Sequence, residues 1–178
     1  NVYANGEGSR VNIEASKGSI NGNVEAEDNA SVVVTLKSNE ASFTGATNVI
    51  NAEKGVTLNL QQGATWYVTD DSTVSSVIGD NFNITKASNV GVNEEVTVTL
   101  DGKHADDIHD NYDETISTIT GVDLILYEDD GLKGNQTIIS DSDVTLYSEG
   151  NGINVANGNY VNIKAAELTL NQGAGFEA

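Results

Sequence analysis

Short segments in which apolar and polar residues alternate recur along the whole chain, and Gly, Asn, Asp or Ser bound most of them. Alternation with a period of two is the mark of a strand with one buried face, and helical periodicity is weak almost everywhere. The pattern predicts an all-β protein. The predicted strands are Val11–Ala15, Ser31–Leu36, Val56–Leu60, Thr65–Val68, Phe82–Thr85, Val96–Leu100, Val122–Tyr127, Thr137–Ser140, Val144–Tyr147, Ile153–Val155, Tyr160–Lys164 and Glu167–Leu170.

Large aliphatic residues repeat along the chain in two series. The first series is Leu36, Leu60 and Ile84, and the second is Leu100, Leu124, Leu146 and Leu168. The steps of roughly 22 to 24 residues lie in the range of repeat architectures. The shorter step between the two series marks a slip in phase. The repeat predicts a right-handed parallel β-helix, a β-solenoid of about six to seven coils, formed by one domain spanning residues 1–178.

A β-sandwich is the alternative architecture, because it also uses short alternating strands. The two folds differ in strand pairing. A solenoid pairs residues about one repeat apart in parallel, whereas a sandwich pairs neighbouring strands as antiparallel hairpins. Hairpins across Asn151-Gly152 and Asn157-Gly158 would therefore identify a sandwich.

Composition narrows the functional classes. The 178 residues include 27 acidic and 8 basic residues, which give a formal charge of −19 and make nucleic acid an unfavourable partner. The absence of cysteine excludes disulfides and thiolate chemistry. No run of residues approaches the ~18 apolar positions of a membrane helix. Strong acidity is typical of solubility outside the cell.

The segment Val56–Val74 contains Gly63-Ala64-Thr65-Trp66 between an apolar strand and Asp70-Asp71-Ser72. Gly63 can adopt a positive φ at a corner, and Asp71 or Ser72 can bind backbone groups at the next one. We expect Trp66 to lie in the core. Tyr67 faces outward by alternation and is a candidate binding residue.

This order of elements resembles the β-helical passenger domains of autotransporter adhesins and related bacterial surface adhesins. The segment 32–46 is a fainter copy, with Phe43 near the place of Trp66. The resemblance implies a non-catalytic bacterial protein, at the cell surface or secreted, that mediates attachment, self-association or biofilm formation. The partners of such a protein would be a glycan or protein of a host or neighbouring cell, or further copies of the protein itself. We expect no membrane insertion by this segment.

An acidic segment interrupts the strand pattern, and we predict a loop insertion over residues 101–115. It contains both histidines, and His104, His109 and Tyr112 are candidate binding residues. Loops of this kind commonly carry function. The carboxylates could instead bind calcium, which prefers oxygen ligands. The candidate ligands are Asp106, Asp107, Asp110 and Asp113.

Catalysis is the less favoured hypothesis, and no catalytic residue or cofactor is predicted. The alternative to an adhesin is a β-helical lyase or hydrolase acting on polysaccharide. A glycosidase needs two carboxylates placed across a cleft, one of them partly desolvated, and exposed turn carboxylates do not meet this requirement. A uronate lyase needs basic residues, yet the sequence has a single arginine, Arg10, and scattered lysines.

Overall fold

A computed structural model describes residues 1–51, 54–100, 106–110, 117–127, 130–147, 153–164, 167–170 and 176–177. Within these ranges the regular structure is entirely β, and every strand pairing is parallel. The strands are β1 Val2–Asn5, β2 Arg10–Ala15, β3 Gly18–Asn21, β4 Val24–Glu27, β5 Ser31–Leu36, β6 Ala41–Thr44, β7 Thr47–Ile50, β8 Gly55–Leu60, β9 Thr65–Val68, β10 Ser72–Val74, β11 Ser76–Gly79, β12 Asn83–Lys86, β13 Thr97–Leu100, β14 Asp106–Asp110, β15 Ser117–Thr120, β16 Asp123–Leu126, β17 Asp130–Ser140, β18 Val144–Leu146, β19 Ile153–Lys164, β20 Leu168–Leu170 and β21 Phe176–Glu177.

The strands stack into three faces. Face A contains β1, β4 and β7 in one sheet and β10, β13, β16, β18 and β20 in another. Face B begins with β2, β5, β8, β11 and β14, and face C begins with β3, β6, β9, β12 and β15. The long strands β17 and β19 continue both B and C, and their register shifts between residues 134 and 136. Parallel stacking of successive coils confirms the predicted β-solenoid and rejects the sandwich.

The core is a set of inward rows that run along the solenoid. On face C one residue from each coil occupies the same inward position, namely Ile20, Phe43, Trp66, Ile84, Ile119, Ile139 and Ile163. Trp66 is completely buried, as predicted, and its Nε1 donates a hydrogen bond of 2.9 Å to the Gly45 carbonyl. Such rows let each coil bury its apolar side chains against the next.

The first series of large aliphatic residues is correct for the step from Leu36 to Leu60 and wrong for the step from Leu60 to Ile84. Leu36 pairs with Leu60 on face B, but Leu60 then pairs with Gly79. Ile84 instead pairs with Trp66 on face C. The coil that carries β11 is shorter than its predecessor, so a fixed step of 24 residues from Leu60 reaches the neighbouring face.

The second series mixes two rows of face A. Leu124 and Leu168 pair with Val144 in one row, whereas Leu146 pairs with Leu126 in the next. The two rows lie two residues apart along each strand, and both begin with buried residues, since Leu124 and Leu126 are each 1% exposed. The spacing of large aliphatic residues cannot distinguish them.

Part of the predicted acidic loop is a strand. Residues 106–110 form β14, in which Ile108 pairs with Val77 and Leu132. The sheet of face B thus continues through a segment rich in Asp. The remainder of 101–115 lies outside the described residues. The predicted shorter step from Ile84 to Leu100 joins residues on different faces, since Ile84 lies on face C and Leu100 on face A. On face C the step after Ile84 is longer than the others, because Ile84 pairs with Ile119, 35 positions later.

Corner residues bind backbone groups of adjacent coils. Gly63 has a φ of +86°, as expected for its corner. Asp71 Oδ1 accepts a hydrogen bond of 2.9 Å from the Thr97 backbone NH, and Ser72 Oγ accepts one of 3.2 Å from Thr47 NH. These contacts confirm the predicted structural roles of Asp71 and Ser72.

Candidate contact face

Face C presents two outward rows of polar residues. Register places one residue of each row in every coil, because alternate residues of a strand point to opposite sides of the sheet. The first row is Ser19, Ser42, Thr65, Asn83, Thr118, Ile138 and Asn162, and the second is Asn21, Thr44, Tyr67, Thr85, Thr120, Ser140 and Lys164. All but Ile138 and Lys164 carry a hydroxyl or an amide group.

Neighbouring side chains in these rows bind each other across the coils. The Ser19 and Ser42 hydroxyls lie 2.8 Å apart, and Thr118 Oγ1 donates to Asn83 Oδ1 at 2.7 Å. The Thr120 and Ser140 hydroxyls lie 3.2 Å apart. These contacts orient the side chains; the hydroxyl that donates in each contact keeps acceptor capacity only, and the hydroxyl that accepts keeps its proton. The face can therefore offer both kinds of hydrogen-bonding group to a partner.

The charge of the protein is distributed unevenly over its faces. No Asp or Glu occurs in the strand residues of face C, although the chain has 27 acidic residues. Carboxylates occupy outward positions elsewhere, such as Glu25 and Glu27 on face A. Between faces B and C, Lys17 pairs with Glu40 at 2.7 Å. On face B, Glu14 of β2 pairs at 2.5 Å with Lys37, which follows β5. The strands of face C thus carry no carboxylate among the described residues, and Lys86 and Lys164 are their charged side chains. We call this carboxylate-free surface of the acidic solenoid the neutral strip.

Tyr67 is exposed, as alternation predicts, and 39% of its surface is accessible. It lies in the second outward row between Thr44 and Thr85. Its ring supplies apolar area and its hydroxyl a polar end, a combination that suits a contact residue. Its binding role stays a prediction.

The other candidate residues lie apart from this face or outside the described residues. His104, Tyr112 and Asp113 belong to the segments that the structure does not describe. The backbone of Asp106, Asp107, His109 and Asp110 is described within β14 on face B. Calcium binding by this group stays a prediction.

No group of three or more His, Asp or Glu side chains among the described residues is arranged to hold a metal ion. The same part of the chain contains no helix with the length and apolar character needed to cross a bilayer.

Most residues of the neutral strip were not identified from the sequence. Of the strands that form the strip, β3, β6 and β15 were not predicted. The signal that could have identified the strip is the lack of Asp and Glu in one strand of every coil. Reading that signal requires the coil register, which varies along the chain.

Comparisons with known proteins provide no further assignment. No protein-family model matches the chain, and neither a curated protein nor a solved structure is significantly similar to it.

Proposed function

We propose that this protein is a non-catalytic adhesive scaffold of the bacterial cell surface, or is secreted, and that face C makes its adhesive contact. Attachment, self-association or biofilm formation would then arise from many weak polar contacts along the two rows. The resemblance to the passenger domains of autotransporter adhesins supports this adhesive function, and so does the solenoid architecture.

The observation that carries this proposal is the absence of carboxylates from the face C strands of a protein with a charge of −19. Surfaces that carry like charge repel one another, and the repulsion acts over roughly 8 Å at physiological salt. A neutral strip allows an acidic solenoid to approach another acidic surface more closely. Hydroxyl and amide groups then supply hydrogen bonds without a charge requirement.

The test introduces charge into the strip of the intact chain. Beads coated with the protein would be assayed for clustering and for retention on an array of glycans and surface proteins. Thr65→Glu should weaken the adhesion several-fold, because Thr65 is a half-buried outward member of the first row. Thr57→Glu, at an outward position of face B, is the matched control.

Two results would reject the proposal. One is an equal loss of adhesion in the face C variant and in the Thr57→Glu control, since that would indicate general charge repulsion. The other is the lack of any adhesion by the unmodified protein combined with release of reducing ends from a polysaccharide. The second result would support the alternative, a polysaccharide-acting lyase or hydrolase.

A further inference from the structure

Two tyrosines from successive coils lie side by side at the end of the face A strands. Tyr127 directly follows β16 and Tyr147 directly follows β18, and these strands pair in register with Leu126 opposite Leu146. The Tyr147 backbone NH donates a hydrogen bond of 2.9 Å to the Leu126 carbonyl, so the ladder extends to the two tyrosines. Because Leu126 is buried in the core, alternation directs the side chain of Tyr127 outward.

The rings of the two tyrosines are stacked. Their centroids lie 4.9 Å apart, and the angle between their planes is 11°. This separation matches the spacing of about 4.7–4.9 Å between neighbouring strands, so the contact follows directly from the register of the two coils. Within the described part of the chain, no other two tyrosine rings are in stacked contact.

The pair can be reached from solvent. Tyr127 is 47% exposed, and Tyr147 is partly buried. Each ring covers one face of the other, which leaves less aromatic area for a sugar ring than two separate tyrosines would offer. A small reagent that attacks the phenol group needs no such area. The arrangement therefore favours a reaction between the two rings over the binding of a ligand on their faces.

We infer that Tyr127 and Tyr147 form a cross-linking site, at which oxidation joins the two rings as a dityrosine. The oxidant is hydrogen peroxide acting through a haem peroxidase. One electron and one proton leave each phenol, and the peroxide is reduced to two molecules of water. The unpaired electron of each phenoxyl radical is shared with the ring carbons next to the oxygen-bearing carbon. One such carbon from each ring forms the new C–C bond, and its hydrogen then moves to the oxygen and restores the phenol.

The fold favours this coupling because it holds the two reacting groups together. Two radicals that are already in contact combine before either one has to find a partner by diffusion. The exposed ring of Tyr127 can turn about its side-chain bonds, which brings the reacting carbons of the two rings together. The product joins residues 20 positions apart in a chain that has no cysteine to form a disulfide. The inference concerns face A and does not rest on the proposed function.

The experiment oxidises the intact chain at low protein concentration with hydrogen peroxide and a haem peroxidase. Denaturing electrophoresis separates the monomer from chains that are linked to each other. The monomer should show dityrosine fluorescence, and its mass should fall by that of two hydrogen atoms. Peptide mapping by mass spectrometry should find the peptide with Tyr127 joined to the peptide with Tyr147, and this link should account for most of the dityrosine in the monomer.

Two variants and one change of solvent test the role of the stack. Tyr127→Phe keeps a ring in the stack but cannot form a phenoxyl radical, so the link should disappear. Tyr67→Phe is the matched control, because Tyr67 is also exposed but has Thr44 and Thr85 as its neighbours in the row, and the yield should stay unchanged. Unfolding in urea separates the rings and should lower the yield of the link several-fold relative to other tyrosine pairs.

Three results would overturn the inference. The first is a monomer without the link between Tyr127 and Tyr147, including the case in which all dityrosine joins separate chains. The second is an equal yield of the link in the folded and the urea-unfolded protein, since coupling would then not depend on the stack. The third is an equal loss of monomer dityrosine in Tyr127→Phe and Tyr67→Phe, which would indicate coupling among exposed tyrosines in general.

Discussion

Phe43 and Trp66 occupy the same inward position of successive coils, and their rings stack with centroids 6.0 Å apart and an interplanar angle of 14°. Both are completely buried. Aromatic pairs of this kind contribute about 0.5–1.5 kcal/mol beyond the burial of their area. The pair therefore joins two coils at the largest side chains of the core.

Replacement of Trp66 by alanine should lower the free energy of unfolding by about 3–5 kcal/mol. The change removes the stacked ring, leaves a cavity and deprives the Gly45 carbonyl of its hydrogen bond from Nε1. Urea unfolding followed by circular dichroism would measure the loss. Tyr67→Phe, next along the strand but exposed, should stay within about ±0.5 kcal/mol. Comparable losses for the two variants would contradict the core role of Trp66.

A second prediction concerns Gly79, where the chain approaches the preceding coil too closely for a side chain. A Cβ at this position would overlap the carbonyl oxygen of Leu60, its partner in the ladder. Because backbone atoms on both sides are held in the sheet, Gly79→Ala should destabilise the protein by about 1–3 kcal/mol or more. Thermal unfolding would measure the effect.

The matched control for Gly79 is Gly91→Ala. The nearest atom to a Cβ at Gly91 belongs to the flexible side chain of Glu94, 3.1 Å away. This side chain can move, so the control should unfold close to the temperature of the unmodified protein. An unchanged midpoint for Gly79→Ala would mean that the two coils can separate at this point without loss of pairing.

Alternation, glycine corners and the burial of Trp66 could be derived from the sequence because each depends on neighbouring residues. The register between coils could not be derived from the sequence, because it depends on the number of residues in each coil. Ile84 pairs with Trp66, 18 positions earlier, and with Ile119, 35 positions later. Only the inward residues constrain the stack, so loops at the corners can change length without disrupting the core.

The candidate contact face was less predictable than the fold for the same reason. Tyr67 could be placed outward from its own strand alone. Its neighbours Thr44 and Thr85 come from other coils, at separations of 23 and 18 positions. A neutral strip is a property of many strands in register, and no single segment of the sequence displays it.

Tyr3 provides a prediction about pH. Its hydroxyl donates to the Glu27 carboxylate, and this hydrogen bond to a charged acceptor raises the pKa of Tyr3 above its ordinary value. A raised pKa in the folded state favours the neutral phenol. The stabilising contribution is therefore fully present below the pKa of tyrosine in the unfolded chain, and it is lost as the pH rises through the folded pKa.

The phenolate absorbance of the unmodified protein minus that of Tyr3→Phe would isolate the titration of Tyr3. Its midpoint should lie above that of a free tyrosine. Glu27→Gln removes the negative charge and should lower the midpoint, whereas Glu14→Gln on face B should leave it in place. A Tyr3 midpoint that does not respond to Glu27→Gln would show that this hydrogen bond does not control the ionisation.

Lys86 holds the loop between β12 and β13 in place, which leads to a prediction about local stability. Its Nζ donates to the carbonyl of Glu94 at 2.9 Å and to those of Gly91 and Val92 at 3.4 Å. The loop presents Val92 with 93% of its surface exposed. Lys86→Met keeps much of the aliphatic chain but removes all three donors, so the loop should open more often while the solenoid stays folded.

Hydrogen exchange measured by mass spectrometry would test this directly. Peptides that cover residues 87–96 should exchange faster in Lys86→Met than in the unmodified protein, and peptides from β5 and β8 should not change. Lys164→Met is the control, because Lys164 is an exposed lysine at the end of a face C strand. Unaltered exchange in the loop would mean that its own contacts, such as the 2.9 Å bond from Gly91 NH to Glu94, are sufficient to hold it. Faster exchange throughout the chain would instead place Lys86 among the residues that stabilise the whole stack.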